Sequence, residues 1–168
     1  MENDSNPSQD IITSLGYLCL GSRFKRLGER LQAGVAEVLA ARGHAVQSAH
    51  LPILMALAVR GDANIGMLSQ HVGISQPGIT RAVAKLRALG LLKSVDDGAD
   101  RRQTVLSLSK EGQALMEELR TTLFPAVDHA VAELCKSSQG DMLSELRAVE
   151  TALDRTPLAS RIEKEVAA

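Results

Sequence analysis

Aromatic residues are scarce in this 168-residue chain, which has no Trp, and they are limited to Tyr17, Phe24 and Phe124. The core must therefore consist of Leu, Val, Ile, Ala and Met, a set of side chains that favours helices. No apolar run approaches the roughly 18 residues of a membrane span. The first residues, MENDSNPSQD, are polar and acidic, the opposite of a secretory signal. We therefore expect a mainly helical protein with no membrane span.

Cysteine, proline and glycine are also few. The 5 Pro and 13 Gly, against 45% hydrophobic residues, argue against disorder over most of the chain. The 2 cysteines, Cys19 and Cys135, fit a reducing compartment better than a disulfide framework. The sequence therefore predicts a cytoplasmic protein with one packed core.

Patterns that carry catalysis or bind metal are missing. The histidines stand in no His-x-x-x-His spacing and the cysteines in no Cys-x-x-Cys spacing; the four histidines are His44, His50, His71 and His129. The sequence has no glycine-rich phosphate loop, nucleophile elbow or paired catalytic carboxylates. We expect no enzymatic activity, no metal and no cofactor.

Charge is unevenly distributed although the net charge is only −1. Residues 60–110 carry 8 basic and 4 acidic side chains, whereas residues 111–168 carry 6 basic and 11 acidic ones. The stretch Ser69–Lys93 has no acidic residue. A polyanion is therefore attracted to the middle of the chain and repelled by its C-terminal part, although four charges can equally well solvate one helix face.

The middle of the chain predicts two short helices joined by a glycine turn. Asn64 can cap a helix over Ile65–His71, Gly73 supplies the turn, and Ser75 can cap a second helix over Gln76–Leu89 with Pro77 in its first turn. Inward-facing apolar residues leave a polar, basic face on the second helix. This arrangement is a helix-turn-helix.

Two extended runs follow, Leu91–Val95 and Gln103–Ser109, around a tip rich in Asp and Gly, and they predict a hairpin that forms a wing. Long amphipathic helices are predicted on either side of this region. The fold class is thus mainly α with a small β-hairpin. The predicted divisions are a flexible tail over 1–10, one dimerisation helix within 11–46, a winged helix-turn-helix lobe over 47–109, C-terminal dimerisation helices over 110–156 and a frayed tail over 157–168.

The segments IGMLSQHVGISQPGITRAVAKLRALGLL and DDGADRRQTVLSLSKEG, with Asp100, Arg101 and Arg102 in the second, resemble the multiple-antibiotic-resistance regulator (MarR) family of winged-helix repressors. The helix start Ser-x-x-Gly after the wing strengthens the resemblance. It implies a homodimer whose first and last helices intertwine and whose lobes reach successive major grooves of a pseudo-palindromic operator. The apolar stripes of those helices need such a partner, because one small lobe cannot cover them.

The resemblance and the polar face together predict the residues that contact double-stranded DNA. They are Ser75, Gln76, Pro77, Thr80, Arg81, Lys85, Arg101 and Arg102. Arg and Gln have the donor geometry to read base edges, whereas Lys and Thr more often hold phosphates. Arg102 aligns with the family's minor-groove arginine and Asp100 with the acid that supports it. A planar cation suits a narrow A·T-rich minor groove.

The resemblance further implies a repressor released by a small, partly apolar anion such as an aromatic acid. The candidates that line its site are Phe24, Leu27, Met55 and Phe124. The alternative within the same class is a cysteine-based redox-sensing regulator that uses Cys19. The resemblance places Cys19 where organic-hydroperoxide sensors of this family carry a reactive cysteine, and Cys135 broadly where some of them carry a resolving cysteine. The tyrosines that surround the thiol in those sensors are replaced here by Ala33 and His44.

Two alternatives come from other classes. A helical interaction protein would keep the dimer body and bind protein instead of DNA, but the acid-free stretch Ser69–Lys93 argues against it. A thiol peroxidase would need an activating residue beside Cys19, and the sequence shows none.

Overall fold

The computed structural model describes residues 10–95, 104–136 and 140–167. Its elements are α1 (Ile11–Ser14), α2 (Leu20–Ala41), α3 (Leu51–Arg60), α4 (Ile65–Val72), α5 (Gln76–Ala88), β1 (Leu92–Val95), β2 (Val105–Leu108), α6 (Lys110–Cys135), α7 (Met142–Arg155) and α8 (Leu158–Val166). Short 3-10 helices occupy Gly16–Cys19 and Ser48–His50. The predicted fold class, mainly α with one small hairpin, is confirmed.

The chain divides into two compact units, residues 1–119 and 120–168. The core of the first unit is aliphatic, as the shortage of aromatics predicted. Its fully enclosed side chains come from five helices and the hairpin, and they are Leu39, Ile53, Leu54, Leu68, Ile79, Leu86, Leu106 and Leu119. This core fixes α4, α5 and the hairpin together.

The hairpin is antiparallel, with Leu92 opposite Leu108 and Val95 opposite Val105. Ala63 adds a third strand position beside it, since Ala63 N–H donates to the Leu106 carbonyl at 3.1 Å and Leu106 N–H donates back at 2.9 Å. The predicted wing strands are thus confirmed, and the segment before α4 joins their sheet, which the sequence did not predict.

The prediction of one long helix from Ile11 to about Arg42 is wrong at its start. The helix stops after Ser14, passes through the 3-10 helix Gly16–Cys19 and resumes at Leu20. Gly16 has φ +55°, a left-handed conformation that glycine adopts without strain. The apolar spacing continues through this break, so periodicity alone could not reveal it.

Two further expectations need correction. The nearly continuous apolar sequence of residues 49–60 predicts a helix buried on most sides, but Met55 and Val59 of α3 are 42% and 82% exposed. The tail predicted to be frayed forms α8, because Arg161 donates to the carbonyls of Ala152 and Thr156 at 2.8 and 3.0 Å and so ties α8 to the end of α7. Pro125, where a bend was expected, lies inside the continuous helix α6.

Candidate nucleic-acid interface

The turn between α4 and α5 is held by local hydrogen bonds. The Asn64 side chain accepts the Met67 N–H at 2.9 Å and begins α4. Gly73 ends the helix at φ +70°, and the Ser69 hydroxyl donates to the Ile74 carbonyl at 2.6 Å across the turn. Asn64 and Gly73 thus have the roles that the sequence predicted.

Helix α5 buries one face and exposes the other. Its buried residues are Ile79, Ala82, Val83 and Leu86, and its exposed face carries the predicted DNA-contacting residues Gln76, Pro77, Thr80, Arg81 and Lys85. Pro77 lies in the first turn as expected. Ser75 occupies the N-cap position, but its side chain makes no capping hydrogen bond, so the predicted capping role is wrong. Within this helix, the Thr80 hydroxyl donates a hydrogen bond to the Gln76 carbonyl at 2.9 Å.

The basic residues of α5 are not equivalent. Arg81 and Lys85 are exposed, one turn apart, with no acidic residue on the helix. Arg87 instead donates to the Ser94 hydroxyl of β1 and so joins the end of α5 to the hairpin. Sequence reasoning counted Arg87 in the basic stretch and could not foresee this bond, because only the hairpin brings Ser94 to it. Arg87 is also exposed and keeps its charge in this bond to a neutral hydroxyl, whereas Arg81 and Lys85 lie on the face of α5 that is predicted to contact DNA.

The tip of the wing lies outside the described residues. Asp100, Arg101 and Arg102 therefore remain predicted contacts without a described geometry. The structure describes the base of the wing, which consists of β1 and β2. The bond from Arg87 to Ser94 and the shared core hold this base beside α5.

The hairpin is anchored at its other end by the Ser-x-x-Gly helix start. The Ser109 hydroxyl donates to the Gly90 carbonyl at 2.6 Å and accepts the Gly112 N–H at 2.9 Å, and the Ser109 N–H donates to the Leu91 carbonyl at 3.0 Å. One buried serine thus begins α6 and fixes the connection between α5 and β1. The sequence motif that marked the resemblance has this structural role.

His50 is a buried histidine beside the basic face. It is 8% exposed, and its Nδ1 has no hydrogen-bond partner among the described residues. Burial lowers the pKa of His50 below its ordinary value of 6.5, and the positive charge of Lys85 lowers the pKa further. The folded protein therefore keeps this imidazole neutral at neutral pH.

The burial of His50 should make the stability of the fold depend on pH in the mildly acidic range. In the unfolded chain the pKa of His50 returns to about 6.5, so its contribution to stability is complete above that pH and is lost as pH falls from 6.5 toward the lower folded pKa. We expect the free energy of unfolding, measured by urea titration, to decline in this window. The decline should be weaker in His50→Gln and unchanged in His129→Gln, which replaces an exposed histidine. Equal slopes in the parent and His50→Gln would contradict the assignment.

The residues predicted for the effector site and for redox sensing are distributed over both units. In the first unit, Phe24, Leu27 and Met55 are 42%, 49% and 42% exposed. Phe124 lies in the second unit and is half-buried. Cys19 and Cys135 are thiols of intermediate exposure, one in each unit. No observation around either cysteine favours the redox alternative.

His44, which stands at one of the tyrosine positions, has its Nε2 3.1 Å from Glu118 Oε1 of α6. Within residues 10–95, 104–136 and 140–167, no three His, Cys, Asp or Glu side chains form a group that would hold a metal. None of the described helices is long and apolar enough to cross a membrane.

Comparison with known proteins agrees with this geometry. The MarR family profile matches residues 44–103, which span α3 to the wing. The HTH-type transcriptional regulator FarR of Neisseria gonorrhoeae is 27% identical over 105 residues, 61% of this chain and 72% of that protein.

Solved structures share the fold. A mutant of MarR from E. coli complexed with operator DNA has a TM-score of 0.68 at 16% identity, covering 86% of this chain and 99% of that chain. The transcriptional regulator BldR from Sulfolobus solfataricus has a TM-score of 0.62 at 20% identity, covering 88% and 99%. FarR and BldR are transcriptional regulators. The chain is thus similar to MarR family regulators over residues 44–103, and it shares the fold of these solved structures.

Proposed function

We propose that this chain is a homodimeric repressor that binds a pseudo-palindromic DNA duplex through α5 and the wing and releases it when a small molecule binds. The exposed, acid-free face of α5 beside the hairpin carries the proposal. The E. coli MarR mutant of the same fold was solved with operator DNA, which supports the same use of this face. An exposed face with two aligned cations and no acid attracts a polyanion such as DNA.

Selection of duplexes from a random library tests the DNA-binding part. We expect the parent protein to enrich sequences with two inverted half-sites about 10 bp apart, because two-fold related lobes reach successive major grooves one helical turn apart. The enriched duplex should shift in a gel at protein concentrations that leave an unrelated duplex free. Enrichment of no sequence, or of unpaired half-sites only, would contradict the proposal.

Exposed apolar residues in both units support the dimer. In the first unit, Leu15, Tyr17 and Leu18 are 43%, 92% and 82% exposed. In the second unit, six apolar residues of α7 and α8 are each at least 44% exposed, and they are Leu143, Val149, Leu153, Leu158, Ile162 and Val166. Apolar surface of this extent at both ends of one chain is typical of an interface, and a second copy would cover it.

Sedimentation tests the dimer. At micromolar concentration we expect about twice the 17.9 kDa mass of one chain. Leu153→Glu, which places a charge on the apolar stripe of α7, should shift the protein toward monomer, because an unpaired charge is costly to bury. Thr151→Glu adds the same charge on the opposite side of α7 and is the matched control. A monomeric parent, or equal behaviour of the two variants, would contradict the proposed interface.

The effector part rests on the half-exposed apolar side chains of the first unit. Phe24 and Leu27 of α2 and Met55 of α3 offer apolar contact to a small aromatic acid. We expect such an acid to release the selected duplex from the parent protein. A higher concentration of the acid should be needed to release the duplex from Phe24→Ala.

A further inference from the structure

A groove of about 550 Å³ lies in the first unit at the start of α4 and α5. Its lining residues are Asn64, Ile65, Gly66, Met67, Gln70, Gln76 and Thr104. Of these lining residues, all within the part of the chain that the structure describes, four carry uncharged amide or hydroxyl groups, two are apolar, and none is charged. Only Gln76 belongs to the contacts predicted from the sequence, so the groove is a further polar surface beside the basic one.

The groove separates the helix from the wing. Gln76 is the first residue of α5, and Thr104 directly precedes β2. A duplex that takes α5 in its major groove and the wing in the adjoining minor groove must pass one sugar-phosphate backbone between these two elements. That backbone crosses the space between Gln76 and Thr104.

The lining suits a sugar-phosphate backbone. Amide and hydroxyl groups donate hydrogen bonds to phosphate oxygens, which receive much of the hydrogen bonding in protein–DNA complexes. Ile65 and Met67, the latter 43% exposed, offer apolar contact to a deoxyribose ring. The side-chain donors of this lining are the amides of Asn64, Gln70 and Gln76 and the hydroxyl of Thr104, and the Asn64 oxygen accepts the Met67 N–H.

Gly66 keeps the groove open. A Cβ at this position would lie 3.3 Å from Asn64 Oδ1 and 3.9 Å from Gln76 Nε2. An alanine there would therefore occupy space between the amide groups. The absence of a side chain at Gly66 leaves room for a ligand group that contacts both amides.

We propose that this groove seats one backbone phosphodiester in each half-site, held by hydrogen bonds from Gln70 and Gln76, as an uncharged clamp between α5 and the wing. This inference rests on the proposed DNA binding and adds a second kind of contact to it. Cations release counterions when they neutralise phosphates, whereas neutral donors do not replace that charge. The clamp therefore contributes affinity that does not depend strongly on salt or on base sequence.

The test measures the affinity of the protein for two duplexes over a range of salt concentrations. One is the duplex selected by the parent, and the other is an unrelated duplex of equal length. We expect Gln70→Ala to weaken both by about tenfold, the effect of a lost hydrogen bond to a charged group, with the slope of log affinity against log salt unchanged. Gly66→Ala, which keeps both glutamines, should act in the same direction. Gln113→Ala, an exposed glutamine of α6, is the matched control. Circular dichroism of each variant verifies that the lobe remains folded.

Ethylation of single phosphates identifies the seat directly. Several ethylated phosphates should weaken binding of the parent, and at one of them in each half-site the loss should be smaller in Gln70→Ala, because only Gln76 then remains to hold that phosphate. Unchanged affinity in Gln70→Ala, or a loss confined to one base pair, overturns the clamp. If Arg81→Ala still weakens binding in that case, the proposed function stands. A parent that binds neither duplex overturns both proposals.

Discussion

Gly112→Ala is expected to be among the most destabilising single substitutions in the first unit. A Cβ at Gly112 would lie 2.2 Å from the Leu91 carbonyl oxygen and 3.1 Å from its carbon, far inside the roughly 3.5 Å of ordinary contact. The carbonyl cannot simply withdraw, because it also accepts the Ser109 N–H at 3.0 Å. The start of α6 and the connection between α5 and β1 must therefore separate.

We expect a loss of about 3 kcal/mol, at the upper end of what an added methyl group costs in a packed interior. Each kcal/mol shifts the midpoint of thermal unfolding by about 2–4 °C in a chain of this size. Gly34→Ala is the matched control, since no atom lies within 4 Å of a Cβ at that helical position. The control should gain roughly 0.5–1 kcal/mol, because alanine favours the helix over glycine. Equal midpoints of thermal unfolding for the two variants would show that Gly112 does not lie close to the Leu91 carbonyl.

Ser109→Ala separates the hydrogen bonds of this helix start from the close packing at Gly112. It removes the hydroxyl that contacts Gly90 and Gly112 without adding volume. The buried Gly112 N–H then lacks its capping partner, which costs on the order of 1–3 kcal/mol. The wing region should loosen with it, as increased hydrogen exchange in β1 and β2 would show.

These substitutions illustrate where sequence reasoning succeeded and where it stopped. Local signals were sufficient for the helix-turn-helix, since Asn64 as cap, Gly73 as turn and the spacing of Ile79, Val83 and Leu86 each act within one element. The Ser-x-x-Gly start was recognised as a motif, but its reason is tertiary. Only the folded chain brings Gly112 against Leu91, which lies 21 residues earlier in the sequence.

The missed features have the same origin. Arg87 looked like any basic residue of α5 until the hairpin placed Ser94 beside it. The apolar residues Leu158, Ile162 and Val166 already had helical spacing, but the short segment after Pro157 gave no sign of the bonds by which Arg161 ties it to α7. Gln70 lacked a motif altogether, and the groove appears only when α4, α5 and the approach to β2 are assembled. Contacts between elements are what the sequence alone could not supply.

Removing Arg81 and Lys85 of α5 together is expected to have the largest effect on DNA binding. In a dimer, the sequence offers eight basic side chains to the duplex, from Arg81, Lys85, Arg101 and Arg102 of each chain. If about six to eight of them neutralise phosphates, log affinity should fall against log salt with a slope of about −5 to −7. The double variant Arg81→Ala, Lys85→Ala lacks four of these charges and should lose about 3 to 4 from the slope if all four contact phosphates.

The single variants assign the two roles. If Arg81 reads a base edge, Arg81→Ala should cost on the order of 1–3 kcal/mol per half-site and relax the preference at one position of the selected duplex. If Lys85 holds a phosphate, Lys85→Ala should weaken selected and unrelated duplexes alike and reduce the slope by about 2 for the dimer. Arg155→Ala, which removes an exposed cation of α7, should leave the slope unchanged. A loss in Arg81→Ala that is equal for all duplexes would make Arg81 a phosphate contact. Unchanged affinity in the double variant would mean that DNA binds to another face of the protein.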